Sequence, residues 1–450
     1  MTKPVELPAS RQSYRELLRL AGPSVLSRLG IMMMGLTDAI IVGRYSAVEL
    51  GYHSLGWAPT MTVLVAALGL LFGVQVLTAR HIGAGEPERT GAVLRRGISY
   101  ALWLGLGSSL VLVFAGPPVM DRIGLEPELA AGASRALVIF SLSLTPYLVA
   151  DCLWLWLEAQ GKPAVPTAAM WIANGVNLAL ALWLVPGTSP FPVEGAVAAA
   201  WVTLVARTSL LLMLALYVWR WPRAHELGVF RKAPHDPRAA REQRRIGYAS
   251  GLSFAIEAGS FAGLNFVAAS LGTLVVAGWA VVMNISSIMF MVPLGIGTAT
   301  GVLVSRAVGA KDVAAVRGAW AMGMKLTLLV LFLLSLLVFA TPEMLAAAYT
   351  QEAEVVAMAS AALVLSCLFY MLDGAQVVTA NALRARGDIW FPTGMHCFSY
   401  VLVMLPLGWL FAVTLQRGLN GIVEAVIVAS LISASGLITR FRLLRGRLRV

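Results

Sequence analysis

Four acidic side chains interrupt stretches of sequence that are otherwise almost wholly apolar: Asp38 in GLTDAIIVG, Asp151 in YLVADCLWL, Glu257 in SFAIEAGSF and Asp373 in YMLDGAQVV. At the centre of a membrane helix an acid costs at least about 2.5 kcal/mol, so each of these is driven to take up a proton, bind a cation or find a partner. The neighbours suit that chemistry. On a helix, Tyr370, Asp373 and Gln376 share a face at i, i+3, as do Ser253, Glu257 and Ser260 at i−4 and i+3. Asn174 and Asn177 sit three apart in an apolar stretch and are natural hydrogen-bond partners for Asp38. The expected chemistry is reversible binding of a proton or a small cation. Spacing alone gives no role to Asp151, or to Arg28 and Arg207, which also lie within apolar stretches.

The rest of the chain must carry these groups into oil. Of 450 residues, 58% are hydrophobic and 13% charged, and the mean hydropathy is +0.79. A soluble protein of this size is roughly a quarter charged. The composition therefore excludes a disordered chain, a disulfide-stapled scaffold and an ordinary cytosolic enzyme, and predicts an all-α polytopic membrane protein. Cys152, Cys367 and Cys397 are far apart, and the five histidines form no metal-ligand spacing. No Walker A motif, nucleophile elbow, HExxH or dinucleotide fingerprint is present, so an ion gradient, not ATP, is the expected energy source, with no cofactor.

Charge, Pro and Gly clusters divide the chain into twelve apolar stretches: 20–43, 57–79, 97–116, 132–157, 167–186, 195–218, 247–271, 276–304, 320–341, 356–383, 390–414 and 421–439. Each is near the roughly 20 residues that cross a bilayer. Twenty-seven Lys and Arg fall in the terminal segments and even-numbered loops, against Arg44, Arg122 and Arg417 in the other loops. By the positive-inside rule the first set, with both termini, is cytoplasmic. That distribution also accounts for the net charge of +11 without nucleic acid, since the basic residues are spread out with no interleaved aromatics. At 1.5 Å per residue, Asp373 lies about 16 Å from Arg384 and Glu257 about 18 Å from Arg245, near the middle of the bilayer. Asp38 falls in the outer half and Asp151 in the inner half.

A repeat underlies this layout. GLLFGVQVLTARHIGAG at 69–85 aligns without gaps on GIGTATGVLVSRAVGAK at 295–311, and at the same offset of 226 LEAQG at 157–161 matches LRARG at 383–387. Two matches at one offset predict a duplication, with an N-terminal six-helix lobe over 1–218, a basic cytoplasmic linker over 219–246 and a C-terminal six-helix lobe over 247–450.

The loop signatures VLTARHIGAGEPE and VLVSRAVGAKDVA, with LEAQGKPAVPT and LRARGDIWFPT, resemble the multidrug and toxic compound extrusion (MATE) family across almost the whole chain. The NorM-type branch of that family is marked by acids that match Asp38, Glu257 and Asp373 here, by a polar pair that matches Asn174 and Asn177, and by a polar position that matches Asn284 in VVMNISSI. The resemblance implies two pseudo-symmetric six-helix bundles in a V, in a bacterial inner-membrane antiporter that exports bulky, often cationic organic compounds in exchange for inward Na+ or H+. It departs from the family at Gly251-Leu252-Ser253, where many relatives carry a proline, and at Asp151, which is no familiar motif position.

The expectation is thus a monomeric antiporter, with drugs, Na+ or H+ and membrane lipids as partners. Drug and ion would compete for Glu257, Asp373 and Asp38, with Na+ the candidate metal at Glu257 and Asp373, supported by Asn174, Asn177, Asn284, Tyr370 and Gln376. Sequence does not choose between Na+ and H+. The rival on the same architecture is a lipid-linked oligosaccharide flippase, which would need several Arg or Lys in its cavity for a pyrophosphate. A membrane-embedded enzyme would need a nucleophile, a metal cluster or a His–acid pair at one depth.

Overall fold

A computed structural model describes residues 13–122, 124–231 and 236–444. The two chain ends, which carry part of the orientation argument, and residues 232–235 of the basic segment lie outside them. The described residues hold twelve helices long and apolar enough to cross a membrane, and no strand. They are α1 (Tyr14–Tyr45), α2 (Ala47–Gly83), α3 (Pro87–Arg122), α4 (Pro127–Ala159), α5 (Ala164–Leu184), α6 (Gly195–Arg220), α7 (Pro237–Ser270), α8 (Thr273–Gly309), α9 (Val313–Ala340), α10 (Ala353–Ala385), α11 (Trp390–Thr414) and α12 (Gly418–Leu443).

Each apolar stretch maps onto one helix, but several helices begin well before the oil does. α7 starts at Pro237, not 247, because Arg238–Arg245 is rich in good helix formers and its backbone hydrogen bonds continue through the charged region. Asp236 caps it: its Oδ1 accepts from the backbone N–H of Arg238 and of Ala239, both at 3.0 Å. The Ala239 bond, with that of Arg238, holds this exposed carboxyl below its usual range. Ser46 caps α2 by accepting from the Glu49 N–H, and Asp312 caps α9 by accepting from the Ala315 N–H at 2.9 Å. Through Gly251-Leu252-Ser253, α7 runs on as continuous helix.

Two helices are interrupted where the sequence carries small or polar residues. α2 is interrupted at Phe72, beside Gly69 and Gly73, and α4 at Ser143, whose hydroxyl donates to the Phe140 carbonyl at 2.6 Å. In α11, Cys397–Met404 and Leu410–Thr414 are π-helical, flanking a short α-helical stretch that contains Pro406.

The chain forms two compact units. One comprises Leu26–Thr78 and Glu86–Gly251. Its helices meet through small side chains, since lipid tails are as apolar as a protein core and only close packing gains energy. The buried face of α6 carries Ala198, Ala199 and Val202 against Val42, Ala181 and Val185, and Ala196 and Ala200 against Ala136 and Phe140.

The other unit comprises Met1–Val25, Ala79–Gly85 and Leu252–Val450. Within it the repeat is used reciprocally. A methyl group on Gly83 would overlap the Arg306 carbonyl, and one on Gly309 would overlap the Arg80 carbonyl. These two contacts are the same contact with the copies exchanged, because 83 pairs with 309 and 80 with 306 at the repeat offset. The second match is also built alike: Gly161 and Gly387, 226 apart, end their helices at φ 79° and 97°, a region that favours glycine.

Candidate cation-binding site

In the unit that holds Leu252–Val450, α7 and α10 carry the acids that sequence places deepest. Asp373 is buried, and the Glu257 side chain retains 13% exposure. The two carboxyls lie close enough to repel each other. Gln376, one turn along α10, donates from Nε2 to Asp373 Oδ1 at 3.1 Å and also interacts with Glu257. Tyr370, one turn back, forms a 3.2 Å hydroxyl contact with Ser286 of α8. Tyr370, Asp373 and Gln376 therefore do act from one face. Next to them Phe261, Trp279, Met283, Ser286 and Phe369 line a small, mainly apolar cavity.

Sequence reading assigns Arg384 to a cytoplasmic loop, but the structure buries it, at 1% exposure, on the last turns of α10. A long side chain near a helix C-terminus points back toward the N-terminus, here into the bundle. The Arg384 guanidinium lies 5.5 Å from the Phe254 ring centroid, and its Nη2 donates to Ser253 Oγ at 2.7 Å. Ser253 Oγ is 2.8 Å from His396 Nδ1, and that nitrogen is 4.0 Å from Glu257 Oε2. Since the hydroxyl accepts from arginine, its own proton goes to Nδ1, which leaves the neutral imidazole its proton on Nε2. A polar chain thus runs from Glu257 through His396 and Ser253 to Arg384. Of its members, the sequence pattern singled out Glu257 and Ser253. Tyr400, one turn beyond His396, packs edge-on against that ring at 5.5 Å.

The other unit holds a separate constellation. Asp38 of α1 is 2% exposed, and its Oδ2 accepts from Thr203 Oγ1 of α6 at 2.8 Å. Asn177, also buried, lies near this carboxyl, but its side chain makes no hydrogen bond among the described residues. Arg207, one turn beyond Thr203, adds a positive charge near Asp38; its guanidinium lies 4.7 Å from the Tyr147 ring centroid and 4.9 Å from that of Trp57, and donates to Ser143 Oγ at 2.8 Å. Sequence reading missed Thr203, an ordinary residue on an apolar helix whose pairing crosses 165 positions.

Two supporting residues fall elsewhere. Asn174 donates to the Gly30 carbonyl at 2.9 Å and joins α5 to α1 as helix glue. Asn284 is exposed and donates to the Ala280 carbonyl of its own helix at 2.8 Å. No group of three His, Cys, Asp or Glu able to hold a metal ion occurs among the described residues.

Comparison with known proteins agrees with this architecture. The MatE family model matches residues 23–183 and 249–410. A "probable multidrug resistance protein NorM" of Caulobacter vibrioides is 50% identical over 432 residues, covering 96% of this chain and 92% of that one. The multidrug resistance protein PmpM of Pseudomonas aeruginosa is 26% identical over 419 residues, covering 90% and 85%. Among solved structures, an outward-facing multidrug resistance MATE family transporter of the MOP superfamily superposes with a TM-score of 0.92 at 19% identity, over 100% of both chains. The eukaryotic MATE transporter AtDTX14 gives 0.86 at 18% identity, over 96% of both. The family read from the loop signatures is therefore borne out, and the chain belongs to the MatE family.

Proposed function

We propose that this protein is a secondary active antiporter of the bacterial inner membrane, with both termini cytoplasmic, that exports bulky, often cationic organic compounds in exchange for inward Na+ or H+. The observation that carries the reading is a charge imbalance. Beside the neighbouring acids Glu257 and Asp373 stands one guanidinium, that of Arg384, whose charge acts on Glu257 while its hydrogen bond goes to Ser253. Two carboxylates with one cation in oil leave a net negative charge that a proton, a Na+ ion or a drug cation neutralises. Only one such guest fits the charge at a time. Ion entry from outside then releases the drug, and drug entry from inside releases the ion, which is linkage through differential affinity for two states. Asp38, with Asn177 and Thr203, supplies a second anionic group of the same kind. Tyr370, beside the cavity, offers a ring face to an organic cation.

The multidrug names of relatives that span nearly the whole chain support this substrate class. A flippase gains little support: the acids outnumber the arginine at this site, whereas a pyrophosphate needs the reverse. The reading is that of a transporter without a catalytic centre.

The test is ethidium efflux from vesicles under an imposed pH gradient alone and then a Na+ gradient alone. Wild-type protein is expected to respond to at least one, and Asp373→Asn to neither while still purifying as a folded monomer. Wild-type efflux by Asp373→Asn would refute the assignment.

A further inference from the structure

Asp151, Arg28 and Arg207, to which sequence spacing gives no role, fall into one arrangement in the unit that holds Leu26–Thr78 and Glu86–Gly251. Asp151 and Glu158 lie two turns apart on one face of α4, each 2% exposed. Arg28 of α1, at 7% exposure, and Gln75 of α2, at 1%, reach the same cluster. Gln75 Nε2 donates to Glu158 Oε2 at 3.1 Å, and the Arg28 guanidinium rests 5.5 Å from the Trp154 ring centroid. Arg28 Nη2 stands 3.9 Å from Glu158 Oε2, a loose approach beside the 2.6 Å of Arg417 to Glu424 and the 2.7 Å of Arg440 to Asp388. Asp151 Oδ2 and Gln75 Oε1, both buried, have no hydrogen-bond partner among the described residues.

Asp151 is therefore a buried carboxyl with one oxygen left without a hydrogen bond, near a guanidinium whose approach to Glu158 is loose. Among the described residues, Arg28 and Glu158 are the charged groups that act on Asp151. Tyr147 and Cys152 flank it on its own helix. α3 presents the Thr90 and Leu94 carbonyls to Trp156 and Cys152, and α5 buries no titratable group among its described residues. From α6, Arg207 comes as far as Tyr147, whose buried hydroxyl has no partner and lies one turn from Asp151. Arg207 in turn interacts with Asp38. Polar groups thus descend from Asp38 through Arg207 and Tyr147 to Asp151, and on through Arg28 and Glu158 to the Gly161 turn.

We propose that Asp151 is a second proton-exchange site, the inner station through which the N-terminal half passes a proton between the level of Asp38 and cytoplasmic water. The inference rests on the ion-coupled reading above. A proton fits where a metal ion does not, because Arg28 already holds a positive charge at the cluster and no three-ligand group surrounds Asp151 among the described residues. In the exchange the Asp151 O–H bond breaks, its proton passes to water at the C-terminal end of α4, and the carboxylate left behind takes Arg28 as its counter-ion. Reprotonation from the Tyr147 side reverses each change.

The experiment uses the full chain in proteoliposomes, with tetraphenylphosphonium as the exported cation. Asp151→Asn is expected to lower transport driven by a pH gradient at least tenfold and to flatten its pH profile, while equilibrium tetraphenylphosphonium affinity in detergent stays within twofold of wild type. Asp151→Glu, which keeps a titratable group, is expected to restore at least half of the rate with a displaced pH optimum. If the asparagine variant does not fold, the optimum of the glutamate variant decides, and an undisplaced optimum overturns the proposal. Wild-type rate and pH profile in Asp151→Asn overturn it, as does equal loss in both variants. Wild-type transport driven by Na+ alone and indifferent to pH would sink the proton station and leave the antiporter standing; intact transport in Asp373→Asn would sink the antiporter reading instead.

Discussion

Glu158 and Arg384 stand 226 positions apart, at the same place in LEAQG and LRARG, on the last turns of α4 and α10. In the N-terminal half the acid at this place meets Arg28 and Gln75. In the C-terminal half the arginine meets the Phe254 ring and Ser253, and Phe254 is itself the counterpart of Arg28. One half thus sets a cation from its first helix against an anion from its fourth; the other sets an aromatic face against a cation. Tyr147 and Asp373 are a second exchanged pair, aromatic in one copy and acidic in the other. The scaffold has been kept while its charges were permuted. Even so, both halves bury acids beside arginine: Asp38, Asp151 and Glu158 with Arg28 and Arg207 in one, and Glu257 and Asp373 with Arg384 in the other.

The strongest way to break this comparison is to force one half to carry the other's charge. Arg384→Glu would gather three acids with no cation, and the expected destabilisation exceeds about 3 kcal/mol. Glu158→Arg should do less harm, because Asp151 is there to pair with the new guanidinium. Thermal unfolding of both variants in detergent measures the difference, and equal melting temperatures would show that the two sites are not permuted versions of one another.

The reciprocal glycines sharpen the symmetry. Gly83→Ala and Gly309→Ala each push a methyl into a carbonyl, so each should cost about 2 kcal/mol, and by similar amounts. A twofold disparity between their unfolding free energies would mean that the two contacts are not equivalent.

Smaller effects separate the acids' supports. Thr203→Val removes the hydroxyl that donates to Asp38 and is expected to cost about 1.5 kcal/mol. Ser253→Ala, in the other half, unlinks Arg384 from His396 and is expected to cost about 1 kcal/mol. Chemical denaturation in mixed micelles would check both, and no loss in Thr203→Val would mean that Asp38 gains nothing from that bond.

The smallest change concerns a turn. Lys311 holds φ 58° where its counterpart Gly85 holds 76°. Lys311→Gly relieves a left-handed side chain and is expected to stabilise by about 0.5 kcal/mol. A drop in melting temperature would show that the lysine contributes a contact larger than its strain.

The layout of the molecule was legible because oil imposes it: apolar runs of membrane length become helices, and the acids within them stay inward. The grouping of Tyr370, Asp373 and Gln376 was equally readable, since it needs only the helical period. Arg384 was not, because hydropathy ends a span at the first arginine although a long side chain can turn back into the bundle. A hint lay in the repeat itself, where charge reverses within a loop that otherwise matches. Thr203 and His396 gave no comparable signal: each acts across helices distant in sequence, and neither residue type is unusual where it stands. Asn174 and Asn284 mark the converse limit, since amides in apolar helices serve joins and their own backbone as readily as a site.

The seam at Gly83 and Gly309 constrains how such a chain can have evolved. After the duplication that the repeat predicts, drift could rewrite the buried acids and arginines one copy at a time, because Asp38 and Glu257 feel Arg207 and Arg384 of their own half. The seam allows no such freedom: whatever bulk one copy acquires must be accommodated by the backbone of its twin, so the hydrogen atoms standing in for side chains there hold two otherwise divergent halves in step.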